Sequence, residues 1–240
     1  MSEVKIGKKA MVVLSSFSKI NPEMRLKEDY LYTKSVGGGL SGIYELQNGE
    51  VETKEFGVSS MTDLLSVLHL CKEPTIEYDD EVLTVKDKSK KFTYLTSPLE
   101  TIDERSLAGQ TLFEQSENVK ISFVVDETNI QDLNAAMGKL NLDSLKIASE
   151  DGVVKFIASN SITENSVALN LEGSASEDCS FEFQKGDSGS VQIFSLLMSG
   201  IYSCQVREVD YNGKSLFLIK MENTSVSDGE SKLFYLSTLS

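Results

Sequence analysis

Tryptophan is absent from this 240-residue chain, histidine occurs once and proline three times. With His69 alone, a zinc site or a Ser-His-Asp arrangement would have to be built around that single side chain, so an ordinary helix position is the simpler role for it. Three prolines and 16 glycines exclude a collagen-like or low-complexity chain. The cysteines, Cys71, Cys179 and Cys204, are odd in number and lack C-x-x-C spacing. Each falls in an apolar or alternating segment, which predicts buried free thiols in a reducing compartment. No run of 18 apolar residues occurs, and the opening MSEVKIGKK lacks the apolar stretch of a signal peptide, so a soluble cytoplasmic protein is expected. Positive charge is scarce. Against 37 acids stand 23 Lys and Arg, leaving −14, which excludes a protein that grips nucleic acid with its whole surface.

What is present is a repeated order of short strands and amphipathic helices, an α+β pattern. Gly7 to Ile20 places Val13, Leu14, Phe17 and Ile20 on one helical face and Lys8, Val12, Ser15 and Lys19 on the other; Asn21-Pro22 ends it. Strands are expected at 23–27, 30–36, 40–46 and 51–56, with Asn48-Gly49 as a hairpin signal. A second helix opens on Ser59 or Ser60, with Asp63 at capping-box spacing, and buries Met61, Leu64, Leu65 and Leu68. Strands at 75–78, 82–85 and 91–96 close the first half. Periodicity then fades from Ser97 to Asn118. The second half repeats the order: a strand at 119–125, a helix at 127–140 with Ile130, Leu133, Met137 and Leu140 on one face, and strands at 144–148, 153–158, 166–171 and 180–184. A helix near 188–198, with Val191, Phe194, Leu197 and Met198 inward, precedes strands at 201–206, 215–221 and 232–238. Lys19-Ile20-Asn21 ends the first helix, and Lys139-Leu140-Asn141 ends the third half a chain length later. This predicts a duplication: domains 1–96 and 119–240, joined by a connector, 97–118.

Nothing in these segments is catalytic in pattern. Carboxylates are scattered without apolar flanks, and Gly37-Gly38-Gly39 with Gly42 lacks the lysine and following helix of a phosphate loop. No catalytic residue, metal site or cofactor is expected. Charge, however, is arranged. Between Met1 and Lys27 six bases face two acids, so this stretch opposes the charge of the whole. His69 and Lys72 close the second helix and Lys139 the third, positions that suit the negative end of a helix dipole. The dipole does not account for Lys5, Lys8 and Lys9 at an N-terminal end. An acidic exterior with weakly basic helical faces suits a protein that surrounds a polyanion and holds it through its backbone without reading bases.

At this point the sequence resembles the DNA sliding clamps, specifically the processivity clamp of T-even-type tailed phages within the PCNA-like clamp superfamily. The resemblance rests on VVLSSFSKINPEMRLKEDYLYTKSV, on LLSVLHL, and on NIQDLNAAMGKLNLDSLKIASEDGVVKFIASNS. It spans nearly the whole chain in matching order and consists of apolar spacing rather than a signature. It implies two tandem clamp-type domains, each with two helices packed on antiparallel sheets, assembled head-to-tail as a homotrimer ring around duplex DNA. It further implies a DNA polymerase and a clamp-loader ATPase as partners, support of late transcription, no membrane association, and the cytoplasm of an infected bacterium as location.

Carried over by position, Lys8, Lys19 and Lys139 fall on inner helices, with Lys5, Lys9, His69 and Lys72 as further DNA-facing candidates. A partner-peptide groove beside the connector would be lined by Leu99, Ile102, Leu107, Leu112, Leu233, Tyr235 and Leu236, although plain core packing also accounts for them. The connector departs from the family's proline-rich version in having only Pro98, and the fourth helix offers no cation. Two other classes fit the composition: a β-rich phage structural protein, and an acidic inhibitor that mimics DNA.

Overall fold

The computed structural model describes residues 2–47, 49–79, 81–102, 104, 108–183, 193–226 and 231–240. The chain forms two compact units. The first comprises Met1–Lys34, Gly42–Arg105 and Gly229–Lys232; the second comprises Ser35–Ser41, Ser106–Asp228 and Leu233–Ser240. The stretch expected to be the connector is thus divided, with 97–105 in the first unit and 106–118 in the second.

In the first unit, β1 (Ser2–Ile6) is a strand that no periodic pattern announced, because only Val4 among its side chains is buried. Helix α1 (Lys8–Ile20) follows. It buries Ala10, Val13, Leu14, Ser16, Phe17 and Ile20 and exposes Lys8, Lys9, Val12, Ser15 and Lys19, as the 3.6-residue spacing requires. Next come β2 (Met24–Leu26), β3 (Tyr30–Lys34), β4 (Leu40–Glu45), β5 (Val51–Glu52) and β6 (Phe56–Val58). The single strand expected at 51–56 is two: β5 pairs with β1, and β6 pairs with β2. Thr53 separates them, its N–H captured by Glu28 Oε1 at 3.1 Å. The hairpin expected at Asn48-Gly49 does not pair β4 with β5. Asn48 lies outside the described residues, and Gly7 N–H donates to Glu50 O at 2.6 Å, which steers the chain onto β1.

Helix α2 (Met61–His69) starts on Ser60, whose hydroxyl accepts the Asp63 N–H at 3.3 Å, and buries Met61, Leu64, Leu65 and Leu68 as expected. It packs beside α1, which also lies on β3. A meander of β7 (Thr75–Asp79), β8 (Val82–Asp87) and β9 (Lys90–Leu95) completes the unit, giving an antiparallel sheet in the order β5-β1-β7-β8-β9.

Gly42 of β4 is set by the helix above it. A Cβ there would stand 2.8 Å from Phe17 Cε1 and 3.1 Å from Thr33 Cγ2, and the Phe17 ring is fully buried. Gly42→Ala is therefore expected to destabilise the fold by about 1–3 kcal/mol through overpacking. Urea denaturation of the two proteins checks this; equal midpoints would mean that Phe17 moves aside freely.

The second unit opens with α3 (Ala108–Gln115) inside the stretch expected to lack periodicity. Strand β10 (Val119–Val125) leads to α4 (Glu127–Leu140), whose Asp126 cap and Asn129 form a reciprocal capping box. Ile130, Leu133 and Met137 are buried, but Leu140 is 40% exposed rather than part of the inward stripe, because Asn141 turns left-handed there and ends the helix. Strands β11 (Ser144–Glu150) and β12 (Val153–Ser159) meet at Asp151-Gly152, both with positive φ, the backbone of a type I′ turn. They are followed by β13 (Ser166–Ala175), β14 (Cys179–Glu182), the short helix α5 (Ile193–Leu196), β15 (Tyr202–Tyr211), β16 (Lys214–Asn223) and β17 (Lys232–Leu239). Of the helix expected at 188–198, residues 188–192, including Val191, lie outside the described residues; Phe194 and Leu197 are buried and Met198 is half-buried. The strand order is β14-β11-β12-β13-β10-β15-β16-β17, and α4 packs on β13 and beside α5. Phe156 centres the core, with the rings of Phe123, Phe183 and Phe194 at 5.6, 6.5 and 5.0 Å.

Both units share one plan. The strand before the first helix, β1 or β10, pairs with the strand after the second helix, β7 or β15, and a three-strand meander follows. Two helices lie side by side in each. Of the three thiols, which are all free, Cys204 is buried, whereas Cys71 and Cys179 are only partly covered. Among the described residues no helix is long and apolar enough to cross a membrane.

Candidate nucleic-acid interface

The cation-bearing helix face exists. Lys8 and Lys19 are both exposed on α1. Eleven residues separate them, which is about three turns, so they stand in one line roughly 16 Å apart along the axis. Val12 and Ser15 lie between them on the same exposed stripe, and Val12 is 51% exposed despite being aliphatic. Lys9 is exposed a quarter-turn away. At the N-terminal end of α1 the cap residue is Gly7, with no side-chain hydrogen bond and no acid in the first turn. Lys8 and Lys9 thus sit at the positive end of an uncapped helix, where local electrostatics disfavour cations.

The other candidates are placed differently. Lys5 is on β1, and its Nζ is 2.6 Å from Glu52 Oε2; the hydrogen bond to that carboxylate raises the ammonium pKa. His69 is exposed at the last residue of α2, in line with Thr62 and Ser66. Lys72 follows that helix, exposed, with its backbone N–H donating to Asp87 Oδ2 at 3.1 Å. Lys139 is exposed near the end of α4, in the stripe that carries Asp132 and Ala135.

The expected groove residues are brought together only in part. Leu112 and Leu236 meet, because α3 lays Leu112 and Phe113 against Val209, Leu218 and Leu236. Arg207 fastens this helix. Its Nη1 donates to the carbonyls of Phe113 (3.0 Å) and Ser116 (2.7 Å), and its guanidinium lies over the Phe113 ring at 4.6 Å. Beside Phe113 opens a pocket of about 370 Å³ in which Arg207 and Lys220 face Glu114 and Glu222, a mixed lining that selects neither sign of charge.

Leu233 and Tyr235 are core residues, fully buried; the Tyr235 hydroxyl accepts the Met198 N–H at 3.1 Å. In the first unit Ile102 is buried and Leu99 half-buried, and Arg25 of β2 binds the carbonyl oxygens of both, at 2.6 Å for Leu99 and 2.7 Å for Ile102. Leu107 lies outside the described residues. Sequence reading missed both arginines, since a guanidinium that binds main-chain carbonyls leaves no spacing signal. Among the described residues no group of His, Cys, Asp and Glu could hold a metal.

Comparison with known proteins agrees with this architecture. No protein-family model and no curated protein sequence matches the chain. The fold, however, is similar along its whole length to solved sliding clamps. Against proliferating cellular nuclear antigen from Entamoeba histolytica the identity is 9%, with a TM-score of 0.67, over 99% of this chain and 98% of that one. Against the PCNA2–PCNA3 complex of Sulfolobus tokodaii the figures are 11% and 0.63, over 100% and 99%. Against the PCNA of A. fulgidus, solved with the C-terminal region of FEN-1 bound, they are 14% and 0.63, over 99% and 97%. The chain has the α+β clamp fold.

Proposed function

We propose that this chain is a non-catalytic DNA sliding clamp that closes into a homotrimer ring around duplex DNA and tethers a DNA polymerase. The observation that carries the reading is that whole-length clamp fold combined with an outward α1 face bearing Lys8, Lys9 and Lys19 in a chain of net charge −14. Such a face meets phosphates without reading bases, which permits sliding.

Self-association has a structural reason. Strand β9 ends the first unit's sheet, and its Leu95 is 72% exposed. An open edge of this kind is managed in soluble proteins by covering it, and a head-to-tail copy does so while closing a ring. The S. tokodaii neighbour is a complex of two PCNA chains, and the A. fulgidus neighbour holds a C-terminal region of FEN-1. By analogy, this clamp takes partner peptides in the region where Leu112 and Leu236 meet. A clamp-loader ATPase would open the ring, and the T-even-type phage group, with support of late transcription, is the setting that the sequence resemblance supports.

Retention on DNA tests the reading. Protein loaded on a nicked circular plasmid is expected to stay bound through gel filtration and to leave once a restriction enzyme linearises the plasmid. Release that ignores cutting excludes topological tethering. Recovery in purified virions, without any stimulation of DNA synthesis, would favour a structural subunit instead.

A further inference from the structure

We infer that the grip on duplex DNA belongs to the first unit's α1 and not to the second unit's α4, so that each subunit holds DNA with one helix. This rests on the clamp reading and goes beyond it, because the two units repeat one plan and a duplicated clamp would be expected to share the task.

The two helices are electrostatic opposites. From Lys8 to Ile20, α1 contains three lysines and no acid, and all three lysines are exposed. From Glu127 to Leu140, α4 contains Glu127, Asp132 and Lys139, all exposed. Asp132 and Lys139 are seven residues apart, two turns on one stripe, so a nucleic-acid backbone lying along that stripe meets a carboxylate as well as the ammonium. The helix ends differ in the same sense. Asp126 caps α4, accepting the Asn129 N–H at 2.7 Å, and Glu127 adds a second acid there. No side chain caps α1, and its positive end carries Lys8 and Lys9. Of the second helices, α2 exposes Asp63 and His69, and α5 exposes Ser195.

Several lysines on the strands are committed to carboxylates: Lys5 to Glu52, Lys86 to Glu77, Lys120 to Glu177 and Glu208, and Lys155 to Glu150. Among the described residues Lys8 and Lys19 make no ion pair. Their charge is therefore available to a polyanion. Screening over about 8 Å at physiological salt keeps each helix's field local, so the acidic remainder does not cancel that of α1.

The test measures binding of the full-length protein to a fluorescent random-sequence duplex over a range of salt concentrations. Lys8→Ala/Lys19→Ala is expected to weaken binding at low salt by more than tenfold and to flatten the slope of log K against log salt by about one for each lysine in contact. Lys139→Ala is expected to cost less than twofold, and Asp132→Asn to tighten binding. An alanine is a strong helix former, so these exposed replacements leave the helices intact. Equal losses from Lys139→Ala and from either α1 lysine would overturn the inference, as would a double variant that binds like the wild type. The plasmid experiment separates the two levels. Retention on circles with equal lysine effects removes only this inference, whereas loss of retention removes the clamp reading itself.

Discussion

If the proposed ring closes through β9, Thr93→Pro is expected to leave each subunit folded and to weaken its assembly strongly. The argument starts from the hydrogen-bond alternation of an antiparallel edge strand. Thr96 N–H donates inward to Glu81 O at 2.9 Å. Along β9 and its extension, even-numbered residues therefore bond toward β8, and the N–H groups of Lys91, Thr93 and Leu95 point to the open side. Thr93 faces Thr84 in the register, and its side chain is exposed. A proline at this position removes one outward donor and places its ring where a second copy's strand would lie. The β8 ladder keeps its bonds, and proline is tolerated on edge strands for this reason. Self-association is expected to weaken by at least tenfold, the equivalent of about 1.4 kcal/mol. Light scattering at micromolar concentration would then read the mass of a single chain, with an unchanged circular dichroism spectrum and no retention on circular plasmid. A ring-sized mass for this variant would show that β9 is not the assembly edge.

The second large effect concerns α3. Phe113 is 3% exposed, is the buried residue of α3, and packs with Val209, Leu218 and Leu236. Truncation of a buried phenylalanine commonly costs about 3–5 kcal/mol. Here the loss is local, because an eight-residue helix cannot persist in water without its packing surface. Phe113→Ala is therefore expected to undock α3 while the rest of the unit stays folded. Amide exchange at 108–115 should accelerate by about a hundredfold, close to 3 kcal/mol, with α4 amides unchanged. The Arg207 guanidinium would lose both carbonyl acceptors and the ring it covers, so Arg207→Lys should give a smaller change in the same amides. Full protection of 108–115 in Phe113→Ala would mean that other contacts hold the helix.

These predictions lie at very different distances from the sequence. The lysine stripe of α1, the Ser60 cap of α2 and the extent of α4 were all readable in advance, because helical periodicity and capping are local properties fixed within a few residues. The Asn-Gly signal at 48–49 misled, since a turn dipeptide does not choose the strand that will be paired beyond it. β5 went to β1 because Glu50 O takes the Gly7 N–H, a contact 43 residues away in the chain. Strand β1 was missed because a strand with one buried side chain carries almost no hydrophobic alternation.

By itself, then, the sequence determined which residues form the repeating helices and strands, which helix faces turn away from the core, and that positive charge is confined to few places. Those follow from side-chain chemistry at short spacing. Only the tertiary structure decided that α3 forms within the polar stretch, that Arg25 and Arg207 hold main-chain carbonyls of that stretch, that Leu233 and Tyr235 belong to the core, and that Lys5 is spent on Glu52 while Lys8 and Lys19 are not. Each of these depends on partners tens of residues distant, whose approach is fixed by how the sheets pair and not by any local pattern.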